Sequence, residues 1–249
     1  MIDHSPYIRT GTGPNAVLML HGIAGSPGHF RDLVPVIPES FSIYNILLDG
    51  HSGAAENFSR SSMKKWKAQV ADTLVDLFAH HEKVVIVAHS MGTLFAIQAA
   101  IACPEKIPRL FLLSVPTRPR VKISSWVTCL RVAFGKRNRP ADLALAGETA
   151  LELTPKLWKY IGWAPRMIEL LRECSRVRKL LPQLSTPTLA FHCQVDELVS
   201  NRSCRDLVHP KIDLTILTDS GHFVYGQKDA ALLQKRLLET LDAIISNIY

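Results

Sequence analysis

Six short apolar runs, spaced by longer stretches of helical periodicity and by turns, constrain this chain more than any other feature. They lie at residues 16–20 (AVLML), 42–48 (SIYNILL), 84–88 (VVIVA), 110–114 (LFLLS), 188–192 (TLAFH) and 213–217 (DLTIL). Most are continuously apolar rather than alternating, which is the mark of strands covered on both faces, as in a parallel sheet. Residues 63–80 place Trp66, Val70, Leu74, Leu77 and Phe78 at helical spacing; 91–102 and 229–245 carry further helical patterns. This alternation predicts an α/β fold built on a mostly parallel, doubly wound sheet. With 249 residues, 47% of them hydrophobic, the chain can bury one large core, and a single domain over 1–249 is expected.

Between 116 and 182 the rhythm breaks. No strand is expected there, only helical patterns interrupted by Pro119, Pro140, Pro155 and Pro165. Trp126, Leu130 and Phe134 recur at helical spacing, as do Ile168, Leu171 and, less regularly, Leu180. The segment reads as a helical insertion between two strands, a lid over the crevice where sheets of this kind bind ligands. It holds fourteen Lys and Arg against five Asp and Glu, while the whole chain carries only +7. The plainer account is a solvated helical face; the functional one is a surface that touches anionic lipid or attracts acidic substrates. Basic charge without a recognition motif does not indicate a nucleic-acid partner. Trp126, Trp158 and Trp163 also fall here, either packing the insertion onto the body or lining an apolar pocket.

The first fifteen residues are polar, and no apolar run is long enough to span a bilayer, so a cytoplasmic protein is expected. Cys103, Cys129, Cys174, Cys193 and Cys204 are scattered and odd in number, which suits free thiols.

The chemistry concentrates in AHSMG, residues 88–92, between the run KVVIVA and the helical stretch that follows. Small residues flanking Ser90 on a tight strand-to-helix turn push its hydroxyl outward at the top of the sheet. The helix start behind it offers backbone N–H groups and a favourable dipole to a developing oxyanion. Three further motifs accompany it: HGIAGSP at 21–27, LLDGHSG at 47–53, and the pair HCQVDELV and DSGHF around Asp196 and His222.

With these motifs the chain resembles the α/β-hydrolase superfamily, in particular compact bacterial carboxylesterases and monoacylglycerol lipases, over nearly its whole length. The resemblance implies a Ser90 nucleophile, a His222 base and an orienting acid at Asp196, in the chain order this fold uses. It implies an oxyanion hole from the N–H groups of Ile23 and Met91, with His21, Gly22, His89 and Gly92 in support. The family turn usually begins with glycine where this chain has Ala88. A small residue is still present there, and the departure weakens the motif only slightly.

Glu197 and Asp219 lie close enough in sequence to compete with Asp196 as the acid, and the loop after 188–192 favours Asp196. His21, His51 and His89 lack metal-ligand spacing and are expected to hydrogen-bond loops; no metal or cofactor is expected. The implied reaction is hydrolysis of a small-molecule carboxylic ester, of short or medium acyl chain or a monoacylglycerol. A thioesterase, acyltransferase, amidase or C–C bond hydrolase would use the same triad. A non-catalytic binding protein of this fold is the rival from another class, and its usual mark, a missing triad member, is absent from the sequence.

Overall fold

The computed structural model describes residues 3–120 and 122–246; the Trp126 side chain lies outside that description. Its strands are β1 (Tyr7–Arg9), β2 (Asn15–Leu20), β3 (Phe41–Ile46), β4 (Ser52–Ala54), β5 (Lys83–His89), β6 (Leu110–Leu113), β7 (Ala150–Glu152), β8 (Thr188–Cys193) and β9 (Ile212–Leu217). The helices are α1 (Ala55–Arg60), α2 (Met63–His80), α3 (Met91–Ala102), α4 (Ile123–Ala133), α5 (Pro140–Glu148), α6 (Trp163–Leu180), α7 (Ser203–Asp206) and α8 (Gln227–Ile245). The main sheet runs β1-β3-β2-β5-β6-β8-β9, parallel throughout except for the antiparallel edge strand β1.

The apolar runs are explained by two cores, one on each face of this sheet. Leu18, Leu20, Ile86 and Ala88 join α2, α3 and α6 on one side. Their alternate neighbours Val17, Met19, Val85 and Val87 join Phe30 and the α8 stripe Leu233, Leu237, Leu241 and Ile244 on the other. Successive strand side chains point to opposite faces, so a strand sandwiched between two cores must be apolar at every position. Helix α2 buries Trp66, Val70, Leu74 and Leu77 along one stripe, and its N-cap Ser62 accepts from the Lys65 N–H at 3.2 Å.

One expectation needs correction. Residues 116–182 do contain a strand: β7 pairs in parallel with β4 to form a separate two-stranded sheet. Three residues on a small ribbon bury too little to leave a hydrophobic signature, and the same holds for β1 and β4. The insertion's apolar residues at helical spacing are partly exposed. Leu130, Phe134, Ile168 and Leu171 are 44%, 61%, 49% and 53% exposed, whereas α6 buries Cys174 and Val177.

Among the described residues, no helix is long and apolar enough to cross a membrane.

Candidate active site

Strand order determines where the site forms. From β2 the chain moves outward to β3, then returns to place β5 on the other flank of β2. Ligand crevices form outside the carboxyl ends of strands at such a reversal. Register then sets the detail, because Leu20 pairs with Ala88 and so the segments leaving β2 and β5 emerge side by side. Those segments are the HGIAGSP and AHSMG motifs.

Ser90 occupies the turn between β5 and α3 at φ 51°, ψ −119°, a left-handed conformation costly for any residue bearing a Cβ. Its N–H donates to the Leu113 carbonyl at 2.9 Å, tying the turn to the end of β6. Close packing explains the small residues around it. A Cβ at Gly92 would lie 2.1 Å from the Leu20 carbonyl oxygen, and one at Gly22 would lie 2.9 Å from the Ser90 Cβ. Ala88, by contrast, is accommodated with its methyl fully buried in the core.

The loops after β8 and β9 bring Asp196 and His222 to the same place. His222 Nε2 is 3.1 Å from Ser90 Oγ, and His222 Nδ1 is 2.9 Å and 3.0 Å from the two Asp196 carboxylate oxygens. All three residues are buried, Ser90 at 7% exposure being the most open. The Asp196 carboxylate also accepts from the Leu198 and Val199 N–H groups at 2.8 Å and 2.7 Å. Burial alone would raise its pKa, but the His222 imidazole beside it and these hydrogen bonds prevail and hold it at about 2. The competing carboxylates are placed elsewhere. Glu197 accepts from the His222 backbone N–H at 2.8 Å and so holds the histidine loop, while Asp219 shares the far turn with Asp229 and Gly226.

Ile23 and Met91 follow the two close-packed turns, and among the described residues neither N–H donates to another protein group. Met91 is the first residue of α3, whose initial N–H groups have no intrahelical acceptor. His21 braces this region: its Nε2 accepts from the Leu48 N–H at 3.0 Å, which leaves Nδ1 to donate to the Gly22 carbonyl at 2.8 Å. His89 donates through Nε2 to the His222 carbonyl at 3.1 Å. Burial holds both imidazoles well below the usual histidine range, with neighbouring histidines adding to the effect, so both are neutral. His51 bonds the Asp49 carbonyl at 3.1 Å, and burial lowers its pKa to about 4.

Sequence reasoning missed several residues that hold the site. Ser114, at the end of β6, sits at φ 52° and donates to Asp196 Oδ2 at 2.9 Å. His29 stacks on His89 with ring centroids 3.7 Å apart and meets the buried Glu148 at 2.5 Å, while its Nε2 faces the Tyr225 hydroxyl at 3.1 Å. Burial works against the Glu148 charge, but His29 and Arg31 hold its carboxyl below the usual range. Because the Ser26 hydroxyl donates to the Glu148 carbonyl at 2.9 Å, the end of α5 is pinned to the loop that carries Ile23. No local signal marks these residues; each acquires its partner only through the fold. Of the insertion tryptophans, Trp163 packs on Phe58 at 4.5 Å and donates to the Ala55 carbonyl, so it does join insertion to body. Trp158 is 66% exposed and contributes little to either expected role.

A doubly wound sheet whose central strand ends in a strained serine turn, with a histidine and a buried carboxylate from the last two strand loops, defines the α/β-hydrolase architecture. The model of the alpha/beta hydrolase family matches residues 17–234, and the chain belongs to that family. Over 105 residues it is 30% identical to the pimeloyl-(acyl-carrier protein) methyl ester esterase of Nitrosomonas europaea, a match spanning 42% of this chain and 38% of that relative. Its fold is similar to a solved structure from work on the metagenome-derived lipolytic enzymes LipS and LipT (TM-score 0.72, 19% identity, 98% of each chain covered). It is also similar to a monoacylglycerol lipase from Paleococcus ferrophilus (TM-score 0.66, 16% identity, 95% of this chain and 98% of that one).

Proposed function

We propose that this protein is a serine hydrolase that cleaves carboxylic esters through an acyl-enzyme on Ser90. The observation that carries the reading is the unbroken hydrogen-bond chain from Ser90 Oγ through the His222 ring to Asp196, at 3.1 Å and 2.9 Å. Ser90 Oγ attacks the acyl carbon as its proton passes to His222 Nε2. The ester C–O bond then breaks, and the departing alcohol takes that proton. Water, deprotonated by the same nitrogen, releases the acid and restores the serine. Asp196 keeps the ring in the tautomer that leaves Nε2 free to accept, and stabilises the imidazolium. The Ile23 and Met91 N–H groups receive the oxyanion, each worth about 2.7–4 kcal/mol of barrier. No cofactor takes part.

The substrates proposed are short- or medium-chain acyl esters or monoacylglycerols. The similarity to a methyl ester esterase, to lipolytic enzymes and to a monoacylglycerol lipase supports that class. The test is intact mass after fluorophosphonate treatment, together with turnover of p-nitrophenyl butyrate. The expected result is one adduct, on Ser90, and ester cleavage that the adduct abolishes. An unlabelled, inactive protein would place the chain with non-catalytic members of the fold. Thioester or amide turnover without ester turnover would change the substrate class.

Residues 116–182 act in this reading as a lid of a single domain, and α4 is its candidate contact with an anionic membrane surface. Ile123, Val127, Leu130 and Phe134 are 82%, 45%, 44% and 61% exposed along one side of that helix, with Lys136 and Arg137 just beyond it. An apolar stripe bordered by cations suits a bilayer interface. The protein is expected to cosediment with vesicles containing phosphatidylglycerol and to lose that binding in Leu130→Asp/Phe134→Asp. Equal indifference to anionic and neutral vesicles leaves α4 a solvated face.

A further inference from the structure

A second concentration of charge lies away from the Ser90 site, on the seam between the insertion and the body. After β6 the chain runs beside the acid loop: Pro119 and Val199 form an antiparallel bridge, and the Arg120 N–H donates to the Leu198 carbonyl at 2.7 Å. Helix α6 passes the same seam. These segments enclose a groove of about 480 Å³ whose lining includes Arg118, Arg120, Arg178, Arg202 and Thr117.

The charges in this groove are unbalanced. Arg118 makes a two-pronged pair with Asp206, both bonds 2.8 Å long. Among the described residues, Arg120, Arg178 and Arg202 have no carboxylate within ion-pair distance, although Asp206 is near enough to feel Arg178. Thr117 is only 2% exposed, and its hydroxyl lies against the Asp206 carboxylate that Arg118 already pairs with. Four guanidinium groups against one carboxylate repel one another, and a bound anion is what relieves that repulsion. Guanidinium forks match phosphate oxygens in shape and donor number, and a hydroxyl can add a further bond.

We propose that this groove binds a phosphate monoester or diphosphate group. The phosphate has two possible sources: the leaving group of a substrate, or a free effector. Ser200 and Arg202, which line the groove, follow directly on Leu198 and Val199, whose N–H groups hold Asp196. A free effector bound there acts through the acid loop, whereas a substrate's phosphate bound there only positions the substrate. Binding itself does not rest on the ester-hydrolase reading and is measured without activity.

The test uses inorganic pyrophosphate as probe, by calorimetric titration and thermal unfolding, against sodium chloride of matched ionic strength. Pyrophosphate is expected to bind the native protein and raise its unfolding midpoint, while chloride does not. Arg178→Gln/Arg202→Gln is expected to weaken binding at least about tenfold, two charge-assisted bonds having been removed. Both side chains lack an ion-pair partner, so the fold is expected to persist, which circular dichroism checks. Lys136→Gln/Arg137→Gln removes the same charge elsewhere on the insertion and is expected to leave binding unchanged. Equal loss in both double variants, or equal effects of pyrophosphate and chloride, would overturn the site in favour of nonspecific charge. The source is read from kinetics. A free effector changes turnover of a neutral p-nitrophenyl ester, whereas substrate-borne phosphate leaves it unchanged and makes pyrophosphate a competitor of phosphate-bearing esters alone.

Discussion

Replacing Ser90 by alanine is expected to lower kcat for p-nitrophenyl butyrate by about a million-fold, the loss seen when the nucleophile of such a triad is removed. The size follows from the geometry. Ser90 Oγ is the atom held 3.1 Å from His222 Nε2, and among the described residues no other hydroxyl hydrogen-bonds to that nitrogen. Thr93, one turn into α3, donates its hydroxyl to the Ser90 carbonyl at 2.6 Å and is committed there. A residual rate of about 10³–10⁴ over water is expected to survive, because the Ile23 and Met91 donors remain. The variant is expected to fold normally, since only one buried hydroxyl is lost. Retention of most activity, measured alongside an unchanged unfolding curve, would remove Ser90 from the reaction.

Asp196→Asn is expected to cost about four orders of magnitude in kcat. An amide in that place can turn its NH₂ toward Nδ1, which favours the tautomer whose proton sits on Nε2, the atom that must accept from Ser90. Three further accepted bonds compound the effect, for Asp196 also receives the Leu198 and Val199 N–H groups and the Ser114 hydroxyl. Glu197→Gln should do far less, because an amide oxygen can still accept from the His222 backbone N–H at the same 2.8 Å site. If the Glu197 variant proved the more damaging, the assignment of the acid would fail. The pH dependence carries a matching sign. A carboxyl held at about 2 in the fold, below its ordinary value near 4, contributes stability above pH ~4 and loses it as pH falls toward 2. Acid unfolding of the native protein should contain that component, and the Asn variant should lack it.

Much of the sheet was legible because its signal is local. A strand between two cores is apolar at every position, and 16–20 or 84–88 announces that within a few residues. Helices α2 and α3 likewise begin and end as their periodicity and flanking residues imply. Strands β1, β4 and β7 left no such trace, since three residues on a ribbon or an exposed edge need no particular composition. The burial of the insertion was not legible for a related reason. Helical spacing in α4 and α6 reports that a helix has an apolar side, but not whether anything covers it.

The sequence by itself determined the class of fold, the serine turn, and the order in which Ser90, Asp196 and His222 follow one another. It could do so because strand patterns and tight turns are written in neighbouring residues. The loop after β8 favoured Asp196 over Glu197 and Asp219, but only the tertiary structure gives the contact that distinguishes them, the carboxylate that reaches His222 Nδ1. The same is true of Ser114 on Asp196, of Glu148 on His29, and of four arginines around one groove. These partners stand 82 and 119 residues apart in the first two cases. Contacts of that span depend on strand order and register, which bring together side chains that no local pattern relates.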